Sequence, residues 1–518
     1  MPSNLHVLIY FVVTVFSIGS VSSICLNDKH RPQLHFSPSK YWINDPNGLI
    51  YVDGEYHMFY QYYPNGTIHG TMYWGHAIST DLLHWEELPI ALSPDGLGEI
   101  FSGSAVLDVR NTSGLQTGTN LPMILIYTQE NGAAQRQSIA FSNDNGRSFQ
   151  KYSGNPVLTN PSYRDFRDPK VYEINGKWVM SLAVNDSIDF YSSSDLKQWT
   201  ALSKFGGNPL EGAHGGVWEC PDLLSFDLDG NTFWVLLVSI NPGGPNLGSV
   251  TQYFLGDFDG KVFRKYGINQ NLWMDWGPDN YAGVTFANDP KNRKILIAWM
   301  SNWLYGEKVP TEAWRGQMTI PRVLELKRVD KTRVRLASSP AEELKQLRSP
   351  SEFYEKTAPL NIQSGNVYDF TADLAFVNPL LEVDALIDTN LVTADPSASF
   401  QLCFYNRLNE QLCVGYTYGQ NSIYLDRCNS GSVSFDTNFG QRATAQRETK
   451  NKIIQLKLFL DTSAIEVFAD EGVTSMTGLF YPTEPLSSIR IGFTSANSAN
   501  QLSVLSITVQ GLKSIYSC

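Results

Sequence analysis

The chain has 518 residues, more than one hydrophobic core usually serves, so two folded units are expected. Charged residues make up 17 % and aromatic residues 12 %, with 40 Gly and 26 Pro, which is typical of a globular protein with many strands and turns. A formal charge of −12 disfavours nucleic acid and anionic membranes as partners, and a neutral substrate fits it better.

An apolar stretch near the start of the chain predicts a secretory signal peptide over residues 1–23. It runs from Leu5 to Val21 and ends in small residues that suit cleavage. The stretch is too short to favour a membrane anchor, and no later run reaches spanning length. Asn-x-Ser/Thr sequons at Asn65, Asn111 and Asn185 agree with a secreted glycoprotein. We therefore expect an extracellular protein with no membrane partner.

The six cysteines are too scattered to indicate a metal site. No Cys-x-x-Cys or His/Cys cluster is present, so no metal site is predicted. Cys403 and Cys413 flank a polar turn between two apolar runs, which predicts a disulfide across a hairpin. The other pairings stay open.

A repeat is visible along the first part of the chain. Ser79-Thr80-Asp81-Leu82 leads to Trp85, and Ser193-Ser194-Asp195-Leu196 leads to Trp199 at the same spacing. A looser copy runs from Ser142 to Phe149. Each copy follows a short apolar strand bounded by Gly, Asp or Asn turns, which predicts antiparallel sheets.

A second recurring element contains an acidic residue at the start of these units. Its copies are Asp45-Pro46, Asp168-Pro169, Glu219 to Asp222, and Asp275 to Asp279. Four-stranded repeats of about 40–60 residues describe a β-propeller, and residues 30–335 would hold about five blades. Equivalent positions then face one axis, so acids far apart in sequence can meet in one funnel. The alternative is that Asp-Pro merely begins turns, because proline fixes φ.

The repeat stops near Arg348, and alternating patterns such as Tyr368 to Val377 and Ile453 to Leu460 continue to the end. They predict a β-sandwich over residues 351–518. Residues 336–350 are predicted to link the two units, with a short helix from Ala341 to Leu347. The predicted fold is all-β, a five-bladed β-propeller followed by a C-terminal β-sandwich.

Three local sequences, in order, resemble the signature of the invertase-type glycoside hydrolases, glycoside hydrolase family 32. They are Trp42 to Gly48 (Trp-Ile-Asn-Asp-Pro-Asn-Gly), Phe166 to Pro169, and Trp218 to Asp222. Within this family of β-fructofuranosidases, Gly215 to Trp218 and Asn241 to Gly244 look closest to levanases and exo-inulinases. The resemblance covers nearly the whole chain after the leader. It implies the same fold and a pocket for one terminal fructosyl unit of sucrose, inulin or levan.

The resemblance also implies roles for single residues. Asp45 would be the nucleophile, Glu219 the general acid/base and Asp168 the stabiliser of the transition state. The positions that match sugar contacts or pocket walls of the family are Trp42, Asn44, Gln61, His69, Trp74, Phe101, Ser102, Arg167 and Trp303. His69 is a departure, because the family usually places Trp there; the change is either tolerated or alters affinity and the balance of hydrolysis and transfer.

The chemistry explains why these groups are needed. A carboxylate traps the oxocarbenium-like anomeric carbon while an acid about 5–5.5 Å away protonates the leaving oxygen, and the product retains its configuration. No cofactor or metal is required. Three carboxylates repel each other when ionised, so we expect Glu219 to occupy the least polar position and hold its proton, with Asp45 kept ionised by hydrogen bonds. The rate should then follow a bell in the acidic pH range.

Three other functions compete with this one. A fructosyltransferase would use the same three acids, so they cannot discriminate transfer from hydrolysis. A non-catalytic carbohydrate-binding propeller should have lost at least one acid, and all three are present. An arabinan-type propeller glycosidase fits the repeats, but the Trp42 to Gly48 motif argues against it. Substrate preference and oligomeric state stay open.

Overall fold

A computed structural model describes residues 26–267, 270–393 and 395–516. The predicted signal peptide lies outside these ranges. The described residues are almost entirely strand and loop, with short 3-10 helices at Gly306–Lys308, Glu342–Leu347 and Phe370–Ala372. None of the helices in these ranges has the length and apolar character needed to cross a bilayer.

Up to Pro340, the described strands form five mainly antiparallel sheets, here called blades 1 to 5. The innermost strands contact one another in a closed ring, since the first strand of blade 5 also contacts the first strand of blade 1. The predicted all-β, five-bladed propeller is therefore confirmed.

Blades 1 to 3 contain, from the axis outward, the strands Tyr41–Val52, Glu55–Tyr63, Tyr73–Ser79 and Glu86–Leu92; Glu99–Leu107, Met123–Glu130, Gln135–Ser142 and Gln150–Lys151 with Leu158–Thr159; and Phe166–Ile174, Lys177–Val184, Ser187–Ser193 and Thr200–Phe205. Blades 4 and 5 contain Val217–Leu228, Asn231–Asn241, Val250–Phe258 and Phe263–Lys265 with Leu272–Trp273; and Tyr281–Thr285, Lys294–Trp299, Arg322–Arg328 and Val334–Pro340. The short strand Trp314–Arg315, from a blade 5 loop, pairs in parallel with blade 1 and helps to close the ring.

The Ser-x-Asp-Leu repeat forms the turn between the third and fourth strands of its blade. Ser79 Oγ donates to Asp81 Oδ1 at 3.0 Å, and the Trp85 indole donates to the Leu82 carbonyl at 3.1 Å. The copy from Ser193 to Trp199 makes the same two bonds. A local side-chain network therefore explains why the same residues recur at this point of the blade.

The sandwich consists of two antiparallel sheets around its own apolar core. The strands of the first sheet are Arg348–Lys356, Leu360–Gln363, Leu381–Asp388, Ile453–Leu460, Ala464–Ala469, Thr474–Leu479 and Gln501–Leu512. The strands of the second sheet are Val367–Asp369, Ser399–Tyr405, Gln411–Thr417, Ser422–Asn429, Arg442–Gln446 and Ser488–Thr494.

Two expectations for this domain have clear outcomes. Cys403 and Cys413 lie directly opposite each other on paired strands and are disulfide-bonded, as predicted. The expected strand from Tyr368 to Val377 is wrong beyond Asp369, because the Asp369 side chain accepts from the Thr371 N–H and starts a 3-10 turn. That turn carries the buried Phe370 into the sandwich core.

The connection between the domains is shorter than the predicted residues 336–350. The last strand of blade 5 runs to Pro340, and the first sandwich strand begins at Arg348. A 3-10 helix, Glu342–Leu347, fills most of the space between them.

A buried ionic cluster joins the sandwich to the propeller, and we call it the interface cluster. Arg322 of blade 5 contacts Asp275 at 2.8 Å and donates to Glu466 of the sandwich at 2.7 Å. His35 lies 2.7 Å from Asp461 through Nδ1 and 3.0 Å from Glu466 through Nε2. All five side chains are inaccessible to solvent.

This cluster corrects one sequence expectation. The sequence pattern predicts that the Asp275 to Asp279 segment faces the funnel, but Asp275 and Asp279 both point to the domain interface. Asp279 pairs with the buried Arg427 of the sandwich at 2.5 Å, as Asp275 does with Arg322. Their partners lie far away in the sequence, so the local pattern could not reveal this structural role.

Candidate active site

Each innermost strand is irregular at the end that faces the same opening. The register with the second strand shifts between Ile43 and Pro46, Ile100 and Gly103, Arg167 and Lys170, Glu219 and Asp222, and Tyr281 and Val284. A bulge of this kind re-aims a side chain out of the regular pleat. Asp168 and Cys220 adopt positive φ values of 62° and 47° at these points.

The bulges bring the three predicted acids together. Asp45, Asp168 and Glu219 come from blades 1, 3 and 4 and line a single cavity of about 680 Å³. The expectation that equivalent positions of successive blades share one funnel therefore holds for these residues. The other predicted site residues that line the cavity are Asn44, Gln61, His69, Phe101, Ser102, Arg167 and Trp303.

Two residues predicted to contact the sugar or to form the wall of its pocket, Trp42 and Trp74, are both fully buried and do not line the cavity. The Trp42 indole donates to Asn44 Oδ1 at 2.8 Å. The Trp74 indole donates to the Phe101 carbonyl at 3.0 Å. Both tryptophans lie behind the cavity wall and position residues that line it.

Asp45 is held by three donors. Ser102 Oγ donates to Oδ2 at 2.7 Å, Asn44 Nδ2 donates to Oδ1 at 3.1 Å, and Cys220 Sγ lies 3.5 Å from Oδ2. Burial and the nearby charge of Glu219 raise the pKa of Asp45, while these bonds lower it and limit the rise. The donors fix both carboxylate oxygens in place.

Asp168 is the most enclosed of the three acids. Its Oδ2 accepts from the Cys220 backbone N–H at 3.0 Å. Burial raises the pKa of Asp168 to about 7; Arg167 opposes the rise, and the charges of Glu219 and Asp45 add to it. Charge repulsion between the three carboxylates is therefore present in the folded pocket.

Glu219 lies in a more polar position than expected. Its Oε1 accepts from Arg167 Nε at 3.1 Å and from Nη2 at 3.0 Å, and its Oε2 accepts from the Tyr281 hydroxyl. The side chain is 21 % exposed, whereas Asp168 is buried. The expectation that Glu219 occupies the least polar position is wrong for this structure.

Tyr281 is a site residue that the sequence reasoning missed. It starts the innermost strand of blade 5, and its buried phenol donates to Glu219. Burial raises its pKa well above the usual value, with the charge of Glu219 adding to the rise, so it stays a donor. The sequence pattern predicts the Asp275 to Asp279 segment as the blade 5 counterpart of the other acids, whereas Tyr281, just before the blade 5 bulge, occupies the equivalent position.

The cavity rim was also missed, since no motif marks it. It is formed by the loops around 130–135 and 161–165, between strands of blade 2 and before blade 3. His69 also lines the cavity, with its ring edge-on to Trp303 at 5.4 Å and to Trp42 at 6.0 Å. Burial lowers the pKa of His69.

Comparison with known proteins assigns the family. The model of the glycosyl hydrolases family 32 N-terminal domain matches residues 35–340, and that of the family 32 C-terminal domain matches residues 340–510. The chain belongs to glycoside hydrolase family 32. Its boundary between the two domain models coincides with the end of blade 5 at Pro340.

The chain is similar to curated enzymes over most of its length. It is 41 % identical to a levanase of Bacillus subtilis, over 99 % of this chain and 75 % of that protein. It is 38 % identical to an extracellular exo-inulinase of Aspergillus awamori, over 93 % and 95 % of the two chains. Invertase 2 of Saccharomyces cerevisiae is 35 % identical over 91 % of this chain and 93 % of that protein.

Solved structures agree with this assignment. The crystal structure of the Aspergillus awamori exo-inulinase superposes with a TM-score of 0.85 at 34 % identity, covering 95 % of this chain and all of that chain. A fructofuranosidase variant of Schwanniomyces occidentalis, complexed with fructosylnystose, gives 0.85 at 30 % identity over the same shares. This family 32 protein is a glycoside hydrolase of the β-fructofuranosidase type.

Proposed function

We propose that the protein is a secreted, retaining β-fructofuranosidase that hydrolyses terminal non-reducing β-D-fructofuranosyl residues of sucrose or fructans. The observation that carries the proposal is the meeting of Asp45, Asp168 and Glu219 in one cavity. A volume of about 680 Å³ is within the usual range of small-molecule sites. The relatives named as levanase, exo-inulinase and invertase support the substrate class.

Asp45 is proposed as the nucleophile. The donors Ser102 and Asn44 hold its two oxygens, so the carboxylate is oriented before the substrate arrives. An attacking group that needs no reorganisation lowers the barrier of the chemical step. The covalent fructosyl-enzyme ester would form at one Asp45 oxygen, and water would then cleave it.

Glu219 is proposed as the general acid that protonates the leaving oxygen and as the base that later activates water. Tyr281 donates to one oxygen of Glu219 and Arg167 donates to the other, so together they fix the direction of the carboxyl group. Asp168 is proposed to bind hydroxyls of the fructose ring, because a carboxylate can grip two neighbouring hydroxyls and strengthen these bonds as positive charge develops.

Secretion is part of the proposal. The apolar stretch over residues 1–23 and the word extracellular in the names of the exo-inulinases support it. Detection of the mature protein in the medium of a eukaryotic host, with a new N-terminus near residue 24, is the expected result; full retention in the cell would contradict it.

The activity test is to follow products from sucrose, inulin and levan over time. We expect free fructose from the first time points, and the first anomer seen by NMR should be β-fructofuranose, because double displacement retains configuration. Release of α-fructofuranose would reject the retaining mechanism. Formation of longer fructosides as the main product at high sucrose would favour a fructosyltransferase instead.

A further inference from the structure

The guanidinium of Arg167 bridges two carboxylates. Its Nη1 lies 2.5 Å from Asp165 Oδ1, while Nε and Nη2 contact Glu219 Oε1 at 3.1 and 3.0 Å. The Arg167 side chain is 11 % exposed, so water screens its charge only in part. Gln135 Oε1 also accepts from Nη1, at 3.3 Å.

This arrangement sets a difficulty for acid catalysis. A general acid has to carry a proton, and a cation in contact with a carboxyl group favours its ionised form. Arg167 therefore opposes the proposed role of Glu219 unless another group offsets its charge. Within residues 26–267, 270–393 and 395–516, Asp165 and Glu219 are the carboxylates that pair with Arg167.

We propose that Asp165 is a positioning residue for the acid/base. It holds one edge of the guanidinium and neutralises part of its charge, so that Glu219 retains a catalytic proton over a wider pH range. The inference rests on the proposed function, because it takes Glu219 as the acid. Asp165 itself lies on the rim of the cavity, where it acts through Arg167 and not on the reacting atoms.

The backbone at Asp165 is fixed without its side chain. The Asp165 carbonyl accepts from the Asn185 N–H at 3.1 Å, and the next residue, Phe166, begins the innermost strand of blade 3. Within the described part of the chain, Arg167 is the hydrogen-bond partner of the Asp165 carboxylate. A substitution at this side chain should therefore leave the loop in place.

The test uses Asp165→Asn, which keeps an oxygen to accept from Nη1 and removes only the charge. We expect kcat/KM on sucrose to fall about tenfold at the optimum, and the alkaline limb of its pH profile to move to lower pH by about one unit. The direction follows because the full positive charge of Arg167 then acts on Glu219. Asp165→Glu restores the charge and should return the limb towards the wild-type position.

Asp186→Asn is the matched control. Asp186 lies at the next hairpin tip, is 56 % exposed and pairs with His214, so its loss changes the net charge equally without touching Arg167. We expect its pH profile to match the wild type. An equal shift in Asp186→Asn would overturn the inference, because it would reflect the overall charge of the rim.

A second variant tests the charge independently of position 165. Gln135 Oε1 accepts from the Phe166 N–H at 2.8 Å as well as from Arg167, so a carboxylate at position 135 could accept from the same two donors. In the Asp165→Asn background, Gln135→Glu should move the alkaline limb back towards wild type. A limb that stays in place in Asp165→Asn while activity or melting temperature falls would show a merely structural role. Absence of any fructoside hydrolysis by the wild type would reject the proposed function instead.

Discussion

The molecule contains two buried clusters of carboxylates, and their charges are balanced differently. In the interface cluster, Arg322 and His35 lie among three carboxylates. Burial raises the pKa of Glu466, but Arg322 and His35 outweigh it and bring it below its usual value. Burial lowers the pKa of His35, but the hydrogen bonds and charges of Asp461 and Glu466 outweigh the effect of burial and raise this pKa to about 9.

The active-site pocket has the opposite balance. Of its three acids only Glu219 pairs with Arg167, which also pairs with Asp165, and the pKa values of Asp45 and Asp168 are raised. Burial is common to both clusters, so burial alone does not distinguish a functional acid. The distinguishing feature is weakly compensated negative charge beside an open cavity, a combination that is typical of catalytic sites.

The largest expected effect is a loss of activity on substitution of an acid in the active-site pocket, without a comparable loss of stability. Glu219→Gln keeps an oxygen to accept from Arg167, and its amide NH2 can donate to the Tyr281 oxygen, but the substitution removes the acidic proton, so kcat on sucrose should fall by about 10³-fold. The melting temperature should change little. Steady-state kinetics and thermal unfolding of the same sample measure both, and substantial residual activity would remove Glu219 from the mechanism.

A second substitution should affect stability instead. Glu466→Gln leaves Arg322 and His35 without their shared buried counter-ion, and the free energy of unfolding should fall by about 3–5 kcal/mol. Glu471→Gln is the control in the turn that follows the Ala464–Ala469 strand, since Glu471 is 66 % exposed and pairs with Lys327 at the surface; it should cost about 0–1 kcal/mol. Denaturant unfolding compares them, and equal losses would contradict the structural role of the interface cluster.

A third prediction uses pH. The pKa of Asp168 is about 7 in the folded protein against an ordinary 3.8, so protonation favours the folded state. The contribution of the protonated Asp168 to the free energy of unfolding is fully present below pH 3.8 and is lost as the pH rises through 7. Asp168→Asn can still accept from Cys220 but carries no charge, so its stability relative to wild type should improve from pH 4 to pH 7. A pH-independent difference would argue against an uncompensated charge.

The smallest effect is expected at the aromatic wall. His69→Trp should keep the edge-on contacts with Trp42 and Trp303 and add apolar area, worth about 1 kcal/mol or less. We expect KM for sucrose to fall by at most about fivefold, with kcat and the ratio of hydrolysis to transfer unchanged. A changed product ratio would instead assign His69 a role in choosing the acceptor.

Local patterns predicted most of the fold because the blades are built from local turns. The repeat at Ser79 and Ser193 marks the same hydrogen-bonded turn, and Asp45 and Asp168 mark the same bulge. Contacts between distant segments could not be predicted in this way. Asp275 resembles a funnel acid in the sequence, and only its pairing with Arg322 reveals its structural role.

The face of a strand on which a residue lies could also not be predicted from the sequence near a bulge. Trp42 and Trp74 neighbour residues of the cavity wall, yet both indoles pack behind it. Side chains alternate along a regular strand, but a bulge changes that alternation by one residue. The sequence does not show how the two faces are assigned around such a point.

The register shifts of the innermost strands have a consequence for how this protein can tolerate changes of chain length. Removing one residue next to Asp45 would turn the following positions over, so that Leu49, now in the core, would exchange faces with its neighbours. Insertions in the loops between outer strands carry no such penalty. Variation in length should therefore collect at the periphery of each blade, while the five strands around the axis keep a fixed residue count.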